Sequence, residues 1–107
     1  MISKTPHLNP DFAKSTDGLL PVIIQDHDSL QVLMLGYMNE ESYALTLNTG
    51  RVTFFSRSRQ QLWTKGETSS NYFDVREVHV DCDQDTILIK VQPHGPACHR
   101  GTTTCFD

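Results

Sequence analysis

The tightest constraint on this chain is its succession of short runs of branched and aromatic residues, each closed by a polar turn. Residues 19–25 and 30–37 are two such runs on either side of Asp26-His27-Asp28-Ser29, a pattern that predicts a β-hairpin. Residues 52–56 and 61–65 flank Arg57-Ser58-Arg59-Gln60 and read as two more strands, with Gly66 breaking the pattern. A third hairpin is expected from residues 72–80 and 86–91, with residues 81–85 at or beside its turn. Between the first two pairs, Asn39 precedes Glu40 and Glu41, Tyr43, Ala44 and Leu47 recur at helical spacing, and Gly50 follows, so one short amphipathic helix belongs there. Beyond Val91, residues Pro93, Gly95, Pro96 and Gly101 predict an irregular tail. The expected class is α+β, mainly antiparallel sheet with one or two short helices.

At 107 residues the chain is expected to form a single domain over 1–107, with an N-terminal extension at 1–16 and a loop and tail at 93–107. A chain of this size buries a modest fraction of its surface, so a metal or a partner subunit is expected to complete the fold. With 9 basic against 13 acidic residues and a net charge of -4, no broad basic surface exists to hold nucleic acid. The apolar run at 19–24 is far too short to cross a membrane, and the N-terminus lacks the continuous apolar centre of a secretory signal. A cytoplasmic, reducing setting is therefore expected. There, an odd set of three cysteines points to thiolate chemistry or metal.

Three groupings carry chemistry. Asp81, Asp83 and Asp85 alternate with Cys82 and Gln84, which in an extended segment places the carboxylates on one face and the thiol on the other. Carboxylates suit magnesium and a thiolate suits zinc, while a solvated acidic turn is the plain alternative. An EF-hand is excluded, because Thr86 and Gln92 stand where its Gly and Glu would be. Cys82, Cys98 and Cys105 form the second grouping, with His94 and His99 nearby as a fourth ligand, a general base or simple loop residues. Three thiolates would leave zinc an open position, although the spacing is not that of a zinc finger; buried apolar thiols are the alternative, disfavoured for a tail where little core is expected. In the third grouping, Arg51, Arg57, Arg59 and Lys65 concentrate 4 of the 9 basic residues beside Ser56, Ser58, Thr68 and Ser69. That composition fits a small phosphorylated ligand, or else two solvated strand ends with Trp63 in the core.

In order along the chain, residues 18–23, 34–39, Phe54-Phe55-Ser56-Arg57-Ser58-Arg59, Leu62-Trp63-Thr64-Lys65-Gly66-Glu67-Thr68-Ser69, Asp81-Cys82-Asp83-Gln84-Asp85 and 95–106 resemble the phosphoribosyl-AMP cyclohydrolase family of histidine biosynthesis. The resemblance covers about residues 17–106. It implies an interlocked homodimer in which zinc is shared between subunits, Cys82 coming from one chain and Cys98 and Cys105 from the other, with magnesium at Asp81, Asp83 and Asp85. It also implies hydrolytic opening of the adenine ring of phosphoribosyl-AMP by zinc-activated water with magnesium assistance. His99, beside Cys98, is the candidate general base, its ordinary pKa of about 6.5 suiting proton exchange. Arg57, Arg59, Trp63, Lys65, Glu67, Thr68 and Ser69 are the candidate substrate-binding residues.

Two departures accompany the resemblance. Ser70 stands where the family more often has Gly, and a side chain there disfavours positive φ, so a slightly different loop is expected. Many family members are fused to a phosphoribosyl-ATP pyrophosphohydrolase domain, an activity not expected of these 107 residues. A zinc-stabilised nucleotide-binding module is the competing class, distinguished by a closed zinc site. A thiol redox protein is weaker, because no C-x-x-C occurs.

Overall fold

The computed structural model describes residues 3–4, by their backbone only, and residues 9–106. The rest of the expected N-terminal extension, and Asp107 in the tail, lie outside the described residues. Five strands form the main sheet in the order β1 (Ser3–Lys4), β6 (Phe73–Val80), β7 (Ile87–Pro93), β2 (Leu20–Asp26) and β3 (Val32–Met38). A second sheet pairs β4 (Thr53–Ser56) with β5 (Gln61–Thr64). The three expected hairpins are all present as antiparallel pairs, β2 with β3, β4 with β5 and β6 with β7. The first and third hairpins join through a parallel pairing of β2 with β7, and β1 also runs parallel to β6, so the main sheet is mixed.

Alternation decides which face is buried. Val22 and Ile24 on β2, Ile87, Ile89 and Val91 on β7, and Phe73 and Val78 on β6 are inaccessible to solvent, while their strand neighbours are partly exposed. Phe54 from the second sheet completes this core, and full burial of each phenylalanine contributes roughly 1.5–3 kcal/mol. On the other face, Glu77 of β6 ties the sheet together laterally, accepting from His79 Nε2 at 2.9 Å and His27 Nε2 at 3.0 Å. The bond from His79 is the main reason its carboxyl titrates below the usual range.

The helix α1 (Glu40–Thr49) starts and stops as expected. The Asn39 side chain accepts the Ser42 N–H at 2.8 Å, and the Ser42 hydroxyl accepts the Asn39 N–H at 2.9 Å. Gly50 ends it in the left-handed region at φ 77°. The helix is fastened to β4 by the buried Thr46 hydroxyl, which accepts the Thr53 N–H at 3.0 Å.

Two sequence expectations are corrected in the tail. The strand β7 runs on through Gln92 to Pro93, because Pro93 is its last residue and the missing N–H falls where the ladder ends. Core also reaches further than expected: Ala97 is 3% exposed and Cys98 only 9%. The tail then straps the outer edge of β3, where Cys105 N–H donates to the Leu33 carbonyl at 2.7 Å and the Thr104 hydroxyl to that of Val32 at 2.7 Å. An edge strand that would otherwise present open carbonyls is thereby partly covered.

Candidate functional site

The turn after β5 brings the two chemical halves together. Gly66 reverses the chain at φ 93°, where a Cβ would lie 2.5 Å from the Tyr72 nitrogen, so only glycine fits. Lys65, just before it, donates from Nζ to the Ala97 carbonyl at 2.5 Å and holds the cysteine-bearing tail against β5. Between turn and tail lies a cleft of about 440 Å³. Its walls include Arg59, Trp63, Lys65, Glu67, Thr68 and Ser69 on one side and Cys98 and His99 on the other. Six of the seven expected substrate-binding residues and the expected base thus face one space.

Arg57, the seventh, lies elsewhere. It lines a second cleft of about 500 Å³, which also includes Trp63, and its guanidinium sits 4.2 Å from the centre of the Tyr37 ring. His94, weighed as a zinc ligand, is absent from the walls of the first cleft and is bonded through Nε2 to Asp74 at 2.6 Å. Asn71, Pro96 and Gly101 also line the first cleft; the sequence marks Pro96 and Gly101 only as breakers in the tail motif and gives no site role to any of the three. The signal for Asn71 was indirect: a Cβ on Gly95 would fall 2.2 Å from its Oδ1, so Gly95 marks a close approach rather than mere flexibility.

Ser70 corrects the sequence expectation. It adopts positive φ, 65°, despite its side chain, because its N–H is held by the Gly66 carbonyl at 2.7 Å while the Ser69 hydroxyl accepts the Asn71 N–H at 3.2 Å. The turn imposes the conformation and the serine tolerates it.

The thiols differ in character. Arg100 Nε donates to Cys98 Sγ at 3.4 Å and is the main reason the Cys98 thiol is pulled down to about 6. At Cys105, burial and the neighbouring Cys98 push the thiol up instead. These two cysteines are close enough to interact electrostatically. Cys82 is at the other end of β7, in the exposed β6–β7 turn. A strand of that length places it about 20 Å away along the sheet. Among the described residues the three thiols do not converge on one point.

The aspartates do converge, by a different device from the one expected. Residues 81–86 form a turn rather than an extended segment, and Gln84 sits at φ 64°. Asp81 Oδ1 accepts the N–H of Asp85 at 3.0 Å and of Thr86 at 3.2 Å. Desolvation raises the Asp81 pKa, but these donors outweigh it and the carboxyl titrates below the usual range. One oxygen from each of Asp81, Asp83 and Asp85 lies within 4.8 Å of the others. Three acceptor oxygens so close suit a hard cation.

Residues 34–107 match the family described as phosphoribosyl-AMP cyclohydrolase. The chain belongs to this family. It is 58% identical over 94 residues to the histidine biosynthesis bifunctional protein HisIE of Photobacterium profundum, covering 88% of this chain and 45% of that protein. The protein of the same name from Xanthomonas campestris pv. campestris is 62% identical over 90 residues, or 84% and 44% of the two chains. That of Staphylococcus epidermidis is 60% identical over 97 residues, 91% and 44%. The chain spans a little under half the length of these curated relatives. Among the described residues, no helix is long and apolar enough to cross a membrane.

Proposed function

We propose that this chain catalyses hydrolytic opening of the adenine ring of phosphoribosyl-AMP in histidine biosynthesis, as a homodimer in the cytoplasm with zinc and magnesium as cofactors. The observation that carries the reading is the cleft between the β5 turn and the tail, where Cys98 and His99 face Arg59, Trp63 and Lys65. Family membership supports phosphoribosyl-AMP as the substrate.

The donor sets fit the metals. Cys98, already thiolate-prone beside Arg100, and Cys105 offer two soft ligands in one tail, and the aspartate turn offers three hard ones. A third thiolate is needed for an open catalytic zinc site, and the distance of Cys82 within its own chain supports its coming from a second copy. Bound there, zinc would lower the pKa of water, and magnesium would offset phosphate charge.

The protein's own side chains supply the rest. The ring carbon bearing the exocyclic nitrogen is electrophilic, because the neighbouring ring nitrogen carries the phosphoribosyl substituent. His99 accepts a proton from the attacking water and passes it to the substituted ring nitrogen as the bond from that nitrogen to the attacked carbon breaks, leaving a formimino group and a carboxamide. Trp63 offers the purine a flat wall. Arg59 binds phosphate, and Lys65, by its bond to Ala97, sets the position of the tail.

Incubating purified chain, loaded with zinc and magnesium, with phosphoribosyl-AMP should change the ultraviolet spectrum as the ring opens. An unchanged spectrum from fully metallated protein that still binds the nucleotide would overturn the reading in favour of a binding module.

A further inference from the structure

The Ser56-Arg57-Ser58-Arg59 turn between β4 and β5 sends its two arginines to different places. Arg59 lines the cleft with Cys98 and His99, and Arg57 lines the second cleft. Trp63 borders both clefts and is seated on Phe54, with ring centres 4.9 Å apart. The second cleft is therefore adjacent to the first across one indole.

Its chemistry is that of a phosphate attached to something flat or apolar. Among the described residues the Arg57 guanidinium makes no ion pair or hydrogen bond; it lies over the Tyr37 ring, which accepts no N–H bond in the plane of the fork, so its donors are available to a ligand. Ser56 and Ser58 border the same cleft, their hydroxyls 3.4 Å apart, and no carboxylate among the described residues lines it. Asp17 is the acidic group whose charge Arg57 favours; its Oδ1 accepts from the Ser15 hydroxyl at 2.5 Å and the Leu19 N–H at 3.1 Å, and among the described residues it forms no ion pair with Arg57. Leu35, Phe55 and Trp63 supply the apolar wall.

We propose that this second cleft receives the 5′-phosphate of the AMP half of the substrate, gripped by Arg57, while Arg59 serves the phosphoribosyl arm. The inference rests on the activity proposed above and deepens it. Phosphoribosyl-AMP carries two phosphates, on sugars attached to ring nitrogens at opposite ends of the purine. One of those nitrogens adjoins the carbon to be attacked, so its arm stays in the cleft that holds His99. The other arm leaves from the far end of the ring and needs an anion site on the other side of Trp63. An arginine in no ion pair and two hydroxyls, in a cleft with no carboxylate among its described lining residues, meet that need.

The test separates the phosphate from the base. AMP and adenosine are titrated into metal-loaded wild type and into Arg57→Ala, Arg57→Lys and Arg59→Ala, with circular dichroism to verify folding; both arginines are exposed, so the core is untouched. The preference for AMP over adenosine should fall about tenfold or more in Arg57→Ala, recover in part in Arg57→Lys and stay within about twofold of wild type in Arg59→Ala. An unchanged preference in Arg57→Ala, its collapse in Arg59→Ala instead, or no preference in wild type would overturn the assignment. Ring opening is followed on the same preparations. Wild type that opens the ring while its AMP preference ignores Arg57 loses this subsite alone; an Arg57-dependent preference without ring opening supports the subsite and removes the activity.

Discussion

Ser70 shows how a turn can outweigh the preference of one residue. Its φ of 65° costs a side chain about 1–2 kcal/mol, and the bond from its N–H to Gly66 keeps it there. Glycine at this position would remove that strain but would gain freedom in the unfolded chain, at a cost of about 0.5–1 kcal/mol. Ser70→Gly should therefore stabilise the protein by about 0.5–1 kcal/mol, read as a higher denaturation midpoint with an unchanged slope. A lower midpoint would mean that the serine side chain does more in this loop than tolerate its backbone. The same residue marks a limit of sequence reading: a side chain disfavours positive φ for serine in isolation, but the tight approach of Gly66 to Tyr72 is a contact of the folded loop that no single residue announces. Asn71 has no local signature for a similar reason, since nothing in its neighbourhood in sequence signals that it packs on Gly95.

Elements were most legible where local chemistry decides them. The helix was readable from Asn39 and Gly50 because caps act within a few residues, and both work as the spacing implied. Asn39→Ala should cost about 1 kcal/mol, while Asn39→Asp, which still accepts the Ser42 N–H, should lose much less. Thermal denaturation at one fixed protein concentration would check this, and equal losses for both variants would count against the cap. All three hairpins were likewise legible, since each lies within one stretch of chain. The parallel docking of β2 on β7 was not, because it joins residues far apart in sequence and leaves no local mark. The end of β7 is not legible from composition, since Pro93 signals a breaker in sequence whereas a proline at a strand's last residue breaks nothing. At the aspartates the expected convergence is present, yet a turn produces it rather than strand alternation.

At the scale of the molecule the decisive relation is between the two ends of β7. Cys98 and Cys105 lie beyond one end, and Cys82 lies in the turn before the other. A strand cannot be shortened, so the proposed zinc site, if it takes all three thiolates, needs the proposed second copy turned to present its Cys82 to this chain's tail. That arrangement makes a definite prediction for mixed variants. Cys82→Ala and Cys98→Ala should each be inactive and zinc-poor when purified alone. Unfolded together and refolded in equal amounts, half of the dimers should pair one variant with the other. Each such dimer unites the intact tail of the first chain with the intact Cys82 of the second in one of its two sites, and the remaining site carries both lesions. Activity and bound zinc should therefore return together to about one quarter of wild type, the share of intact sites under random pairing. Mixing Cys98→Ala with Cys105→Ala should restore nothing, because both lesions fall in the tail and every site has one damaged tail. Recovery in the second mixture, or none in the first despite mixed dimers, would show that the site does not divide between chains in this way.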